Sequence, residues 1–298
     1  LYCGSSVDLI DIDKLTNNIS IDDFKKKLKK SKKENTLPKI VIPVHLAGLS
    51  CEMEEIKNLS MEYGFKIIED ASHAAGGSYK SKKIGSCEYS DMSVFSFHPV
   101  KNFTTGEGGI ISTNSEELYV KLKNLREHGI NKDPSSMIYP SDGPWYYEQV
   151  GLGFNYRMTD ISAALGNSQL KRLEANTLKR NEIASFYAEE LKDLPLFLPN
   201  EDSSGTSGRH LYIIKLNLSR IEKTHEEVFV NLRENGIGVN IHYIPVYRHP
   251  FYQKFKFDLK LFPNSEAYYS SAISIPMFPE LQDHQLSYIV DSIKGILQ

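Results

Sequence analysis

Residues 39–113 decide the fold. KIVIPVHL (39–46), EMEEIKNLSMEYG (52–64), FKIIED (65–70), DMSVFSFH (91–98) and GGIIST (108–113) set short β-rich runs around a helical one. That alternation is the order of an α/β domain. In the helical run Met53, Ile56 and Met61 are expected near a common face, and Gly64 is placed to stop the helix in a left-handed conformation. FKIIED then reads as a buried strand. Its last residues, Glu69 and Asp70, stand at the carboxyl end, the edge where open α/β sheets hold their ligands.

Outward from this block, LYCGSSVDLIDID (1–13) reads as strand-like, and the lysine run DFKKKLKKSKKEN (23–35) as a solvated helix face. SEELYVKLKNLREHG (115–129) reads as an amphipathic helix with Leu118, Leu122 and Leu125 on one side and Gly129 as its stop. Residues 131–150, with Pro134, Pro140, Gly143, Pro144 and the single Trp145, suit a long irregular excursion. From Thr159 to Leu194 the composition is helical throughout, too long for one ordinary helix, and is expected to bridge two domains. The polar PNEDSSGTSGR (199–209) gives way to a strand in HLYIIKL (210–216), a helix in HEEVFVNLRENG (225–236), a strand in IGVNIHY (237–243) and a terminal helix from about Leu281. The expected division is a large domain with its bridging helix over 1–180 and a small domain over 181–298.

The 298 residues, 40% of them hydrophobic, suffice for a substantial core. The 35 basic and 38 acidic residues nearly cancel, which argues against a nucleic-acid partner and for a small molecule. Cys3, Cys51 and Cys87 are odd in number, widely spaced and form no CxxC pair, so neither a disulfide framework nor a metal site is expected. No apolar run approaches the roughly 20 residues that span a bilayer, and the first residues lack a signal-peptide pattern. The expectation is a cytoplasmic protein with no membrane contact.

The chemistry lies in VFSFHPVKNFTTGEGG (94–109), a β-like segment running into a loop with Ser96, His98 and Lys101 and then a Gly-rich turn. Alone, Asp70 reads as a strand-end turn residue and Lys101 as a solvated lysine. Together they suggest more. A Schiff-base lysine needs a place beside a strand end, where burial lowers its pKa and packing fixes its direction. An aspartate against a pyridinium nitrogen keeps that nitrogen protonated, so the ring accepts electron density, and the released lysine then moves the proton.

EDASHAAGG (69–77), FSFHPVKNFTTGEGG (95–109) and GFNYRMTDISAALGNSQL (153–170), in that order, resemble the cofactor-aspartate, Schiff-base and bridging-helix segments of the DegT/StrS family of pyridoxal-phosphate-dependent nucleotide-sugar aminotransferases. The resemblance covers essentially the whole chain. It implies the aspartate aminotransferase-like fold type I: a mixed-sheet large domain flanked by helices, plus a small α+β C-terminal domain. It also implies pyridoxal 5'-phosphate as cofactor and a homodimer with its active site at the interface. By resemblance Lys101 is the Schiff-base lysine, Asp70 the pyridine partner, His73 a residue beside the ring and Ser96 a phosphate ligand. Asn155 resembles the asparagine that reaches the neighbouring subunit's cofactor phosphate, while His242 and Tyr243, with Tyr247 and Arg248 beyond, resemble the segment approaching the nucleotide sugar. Read singly, His73 is a core histidine, Ser96 a strand serine with a local hydrogen bond, Asn155 a turn residue and the aromatic cluster packing. Glu107 lies in a family motif, with no role that the residues dictate.

Within the family, VHLAGLSCEM (44–53), SFHPVKNFTTGEGG (96–109) and IHYIPVYRHPFYQ (241–253) are similar to the branch serving pseudaminic acid synthesis. That similarity implies a UDP-linked 4-keto-6-deoxy sugar as acceptor, glutamate as donor and ping-pong kinetics. Other nucleotide keto sugars stay open. Related dehydratases carry histidine in place of the lysine, so Lys101 argues against dehydration; a non-catalytic nucleotide-sugar-binding protein is the rival from another class. The family's Gly-Thr-Ser type turn, which leads into the helix that cradles the cofactor phosphate, and an aromatic residue near the ring are expected upstream of LYCGSSVDLIDID and are not in this sequence. The expectation is an amino-terminally truncated large domain, with weakened cofactor binding.

Overall fold

A computed structural model describes residues 1–200 and 204–297. Helix α1 (Ile21–Glu34) starts where the Ser20 hydroxyl accepts the Asp23 N–H and ends at left-handed Asn35; it buries Phe24 and Leu28 beneath its solvated lysines. Strand β1 (Ile40–Val41), helix α2 (Met53–Tyr63) and strand β2 (Lys66–Asp70) follow, with β1 and β2 parallel. The ribbon β3 (Ser78–Tyr79) and β4 (Lys82–Lys83) precedes β5 (Met92–Ser96), which runs parallel to β2, and β6 (Gly109–Ser112), antiparallel to β5. The resulting sheet, in the order β1-β2-β5-β6, is mixed. Its core joins Phe24 and Leu28 to Met53, Ile56, Leu59, Phe65 and Ile67.

Gly64 ends α2 at φ +80°. The buried face of α2 is Met53, Ile56 and Leu59, whereas Met61 is 69% exposed, contrary to its expected place. At 100° per residue Met61 lies roughly 140° around the helix from Ile56, so it cannot share that stripe.

Helix α3 (Glu116–Arg126) is capped by Ser115 but buries no residue; Leu118 and Leu122 are half-buried, and Leu125 is exposed rather than facing a core. Across the excursion 131–150, β7 (Ile130–Asn131) pairs with β8 (Glu148–Gln149). The helical stretch from Thr159 breaks into α4 (Asp160–Leu170) and α5 (Leu173–Leu191), and the expected boundary at 180/181 falls inside α5.

The remaining elements are β9 (Leu196–Phe197), β10 (Gly205–Thr206), β11 (Tyr212–Leu216), α6 (His225–Glu234), α7 (Pro263–Tyr269), β12 (Ala272–Ile275) and α8 (Asp283–Leu297). β11 lies between β9 and β12, antiparallel to both. Ile183, Tyr187 and Leu191 of α5 share a second core with Ile214, Leu232, Ile273 and Ile289. β10 pairs back onto β3 and ties this part to the first sheet region.

Two expected strands do not form. Among the described residues, the backbone of IGVNIHY joins β12 by the isolated Asn240–Ser274 bridge alone, although Ile237 and Val239 are buried, and that of residues 1–13 makes only the Ile12–Ile19 bridge. In IGVNIHY the apolar alternation reports burial, whereas in residues 1–13 Asp11 alone is buried and Leu1 and Tyr2 are exposed; a strand also needs a neighbour that continues its ladder. Part of the expected polar turn, residues 201–203, lies outside the described residues. Among the described residues no helix is long and apolar enough to cross a membrane.

Candidate active site

Asp70 closes β2, its N–H bonded to Pro43 O (2.9 Å) and its carbonyl to His45 N (3.1 Å). Its carboxylate Oδ1 accepts from Ser72 N at 3.1 Å and Ser72 Oγ at 2.6 Å, which fixes the carboxylate plane. The neighbouring Glu69 points into the core, where Oε2 lies 2.8 Å from His45 Nε2 and Oε1 accepts from Ser90. His45 Nδ1 accepts the Cys51 N–H at 3.1 Å. Adjacent carboxylates thus have opposite tasks: one anchors the sheet, and the other faces the site.

Lys101 lies beyond the end of β5, half-buried in the loop 97–108. Burial pulls its amine below the ordinary lysine pKa, opposed by the charge of Asp70. No hydrogen bond or ion pair to its Nζ occurs among the described residues.

His73 is 7% exposed, and its Nδ1 accepts the Ala47 N–H at 3.3 Å. Burial first, then the Lys101 charge, hold it down to about pKa 4 against the opposing pull of Asp70, with His242 adding to the depression. The ring is therefore neutral near pH 7. With Nδ1 an acceptor, the network assigns the proton to Nε2, which lies 3.3 Å from Tyr243 Oη.

His242 and Tyr243 reach the cluster from the second core region. His242 Nδ1 lies 2.8 Å from Ser274 Oγ; burial and then Lys101 depress its pKa. Burial and then Asp70 raise that of Tyr243, which remains 52% exposed. The structure thus brings Asp70, His73, Lys101, His242 and Tyr243 together. Ser96 and Asn155 make no such contact: Ser96 Oγ accepts the His98 N–H at 3.4 Å, and Asn155 is exposed, bridged to Glu127. Glu107 is exposed, its carbonyl taken by Thr105. Tyr247 Oη and Arg248 Nε bond Glu266 Oε1 at 2.8 and 3.0 Å, which assigns them to packing against α7.

Sequence reasoning missed a polar layer beneath the cluster. Asn102 and His210 are buried and joined at 3.2 Å, the His210 ring packs 4.5 Å from that of His73, and Arg180 Nη1 donates to Arg209 O, His210 O and Met277 O at 3.2, 3.3 and 2.7 Å. Burial, then His73 and Lys101, press the His210 pKa down to about 2. The sequence offers little signal for it: His210 opens HLYIIKL directly after Gly208 and Arg209. Close backbone approach makes this layer possible: a Cβ on Gly48 (φ +101°) would stand 2.4 Å from Arg209 N, and Gly48 O accepts from Gly208 N at 3.0 Å.

The profile of the DegT/DnrJ/EryC1/StrS aminotransferase family matches residues 1–294. The chain belongs to this family. An uncharacterized protein of Methanocaldococcus jannaschii is 40% identical over 97% of this chain and 73% of its own length. The UDP-4-amino-4,6-dideoxy-N-acetyl-beta-L-altrosamine transaminase of Campylobacter jejuni is also 40% identical, over 100% of this chain and 75% of its own. Among solved structures, the Helicobacter pylori aminotransferase PseC, involved in the biosynthesis of pseudoaminic acid, aligns with a TM-score of 0.89 at 30% identity, covering 99% of this chain and 75% of that one. Membership of the DegT/DnrJ/EryC1/StrS family makes the chain an aminotransferase of the pyridoxal-phosphate-dependent fold, with the mixed sheet described above.

Proposed function

We propose that this chain transfers the amino group of glutamate to the C4 carbonyl of a UDP-linked 4-keto-6-deoxy sugar, using pyridoxal 5'-phosphate, in the synthesis of pseudaminic acid or a similar surface-glycan amino sugar. One observation carries the reading: Lys101, half-buried with no protein partner for its amine among the described residues, shares a cluster with Asp70, His73, His242 and Tyr243. The names of the Campylobacter and Helicobacter relatives support the class of sugar.

The donor set fits the ring side of the cofactor. Ser72 occupies Asp70 Oδ1, whereas Oδ2 has no hydrogen bond among the described residues, and the neutral His73 offers a flat ring. Ser96 and, in a homodimer, Asn155 of the partner subunit are proposed for the phosphate. When bound, the cofactor supplies a carbonyl that exchanges for the amine and a ring that takes up electron density. Asp70 offers its carboxylate to the positive charge at the ring nitrogen. Lys101 Nζ, its basicity lowered by burial, takes a proton and returns it. His242 and Tyr243 hold the sugar from the second domain. Glutamate leaves as 2-oxoglutarate and the sugar carbonyl becomes the amine, so the exchange is redox-neutral.

The test supplies the protein with pyridoxal phosphate, glutamate and a panel of UDP- and dTDP-linked keto sugars and reads products by mass spectrometry. The altrosamine-type UDP-4-keto sugar is expected to give its 4-amino product, and Lys101→Ala none. No turnover of that sugar overturns the narrow assignment; undiminished turnover by Lys101→Ala overturns the role of the lysine.

A further inference from the structure

The hydrogen-bond ladder fixes Asp70 but does not reach Lys101. Asp70 is in register with Val94 across β2 and β5, and β5 ends at Ser96. Within the loop, Phe97 N bonds Gly108 O (2.9 Å), Lys101 N bonds His98 O (3.0 Å), Thr105 N bonds Phe97 O (3.1 Å) and Thr104 Oγ1 bonds the same carbonyl (2.8 Å). These bonds close the loop on itself and leave its position relative to Asp70 open.

Asn102, the residue after Lys101, reaches out of the loop. Its carboxamide is buried, with Nδ2 donating to Ala75 O at 2.9 Å and to Gly208 O at 2.6 Å. Both amide protons are thereby used, so Oδ1 is the acceptor for His210 Nδ1 at 3.2 Å. A flipped amide would set its oxygen against two carbonyl oxygens, so the orientation is fixed. His210 must then carry its proton on Nδ1, and its own carbonyl is held by Arg180. Ala75 belongs to the turn that follows Asp70 and His73, so the carboxamide links the lysine loop directly to the aspartate loop.

We propose that Asn102 is a positioning residue for the aminotransferase reaction: through Ala75, Gly208 and His210 its carboxamide holds the loop of Lys101 in a fixed place relative to Asp70. The proposal rests on the reading of Lys101 as the amine that takes the cofactor. A neutral, buried network in which the Asn102 carboxamide uses both its protons and its oxygen suits the task because it adds no charge to the site and fixes one orientation of the amide. Loss of one member leaves buried donors or acceptors unpaired and frees the loop.

The test uses Asn102→Ala, Lys101→Ala, and the pair His210→Phe and His210→Asn, of which only the second keeps an N–H near the Nδ1 position. Two readouts accompany kcat and KM. Capture of pyridoxal phosphate is followed by absorbance and located on Lys101 by borohydride reduction and peptide mass spectrometry. In cofactor-free protein, labelling of Lys101 by acetic anhydride across pH reports the state of its amine. Asn102→Ala and His210→Phe are expected to slow capture and lower kcat by about 10- to 100-fold while KM for the sugar moves less than about threefold, with His210→Asn restoring most of the loss. The Lys101 labelling profile is expected to move toward that of an exposed lysine. Capture, kcat and labelling of Asn102→Ala all unchanged, or of His210→Phe if the first variant does not fold, overturn the proposal. Lys101→Ala separates the two failures: undiminished capture there overturns the reading of Lys101 itself.

Discussion

At the scale of single residues, the site depends on neighbours that change what a side chain can do. Lys101 is a weaker base than a surface lysine because it is half-buried, and His73 is uncharged because burial and the Lys101 charge both disfavour imidazolium. The imidazole of His73 is expected to titrate near pH 4 in a histidine-resolved NMR titration. For stability the sign follows from proton counts. Between the ordinary value of 6.5 and about 4 the unfolded chain binds more protons at this position than the folded one, so the contribution of His73 is complete above pH 6.5 and fades as pH falls toward 4. His210 acts in the same direction down to about pH 2. In urea melts across this range, His73→Gln should reduce the acid sensitivity of the midpoint. Asp70→Asn keeps the shape and removes the charge; under the proposed chemistry it lowers kcat by roughly 100-fold or more, measurable in single-turnover assays. Lys101 and Asp70 were legible in the sequence as candidates because their types suit the proposed chemistry and their motifs follow the family order. Asn102 was not, although it adjoins Lys101, because its partners Gly208 and His210 lie more than a hundred positions away in the chain.

At the scale of elements, period and termination were readable, and facing was less so. Gly64 ends α2 as its position suggests, and the helical stretch from Thr159 breaks as its length requires. The reading of Met61 failed because a common face was drawn too wide; the core selects the stripe centred on Ile56. Ile56→Ala should therefore cost about 3 kcal/mol, as for other fully buried isoleucines, whereas Met61→Ala should stay within about 0.5 kcal/mol in chemical denaturation. The same distinction explains IGVNIHY. Its alternation is real, since Ile237 and Val239 are buried, but its backbone pairs with β12 at one isolated bridge and continues no ladder. Arg180 shows a helix residue working outside its helix. Arg180→Leu leaves two buried carbonyls, of His210 and Met277, and the half-buried carbonyl of Arg209 without this donor and should lower stability by about 3 kcal/mol, read as a fall in thermal midpoint.

At the scale of the whole molecule, the cluster joins distant parts of the chain, with Asp70, His73 and Lys101 from the first sheet region and His242 and Tyr243 from the segment beside β12. Away from it, Leu152 (90% exposed), Ile161 (85%), Tyr156 (72%) and Ile138 (70%) present apolar surface on the segment that also carries Asn155. Exposed apolar groups of this size suit an interface. Under the proposed homodimer, Ile161→Asp is expected to shift sedimentation from dimer toward monomer and to weaken cofactor retention in parallel; an unchanged dimer would remove this face from the interface.

The sequence by itself determined the alternation of strands and helices and the order of the three motifs, and it offered Lys101 and Asp70 as candidates, because these depend on local period and residue chemistry. Only the tertiary structure decided that Ser96 accepts the His98 N–H and Asn155 bridges to Glu127, that Glu266 engages Tyr247 and Arg248, and that Asn102, His210 and Arg180 are joined beside the lysine loop. The physical reason is the same in each case. A side chain's partner is chosen by which backbones pack together, and a glycine such as Gly48, through which residues 47 and 48 come against 208 to 210, leaves no local pattern that names the segment it will meet.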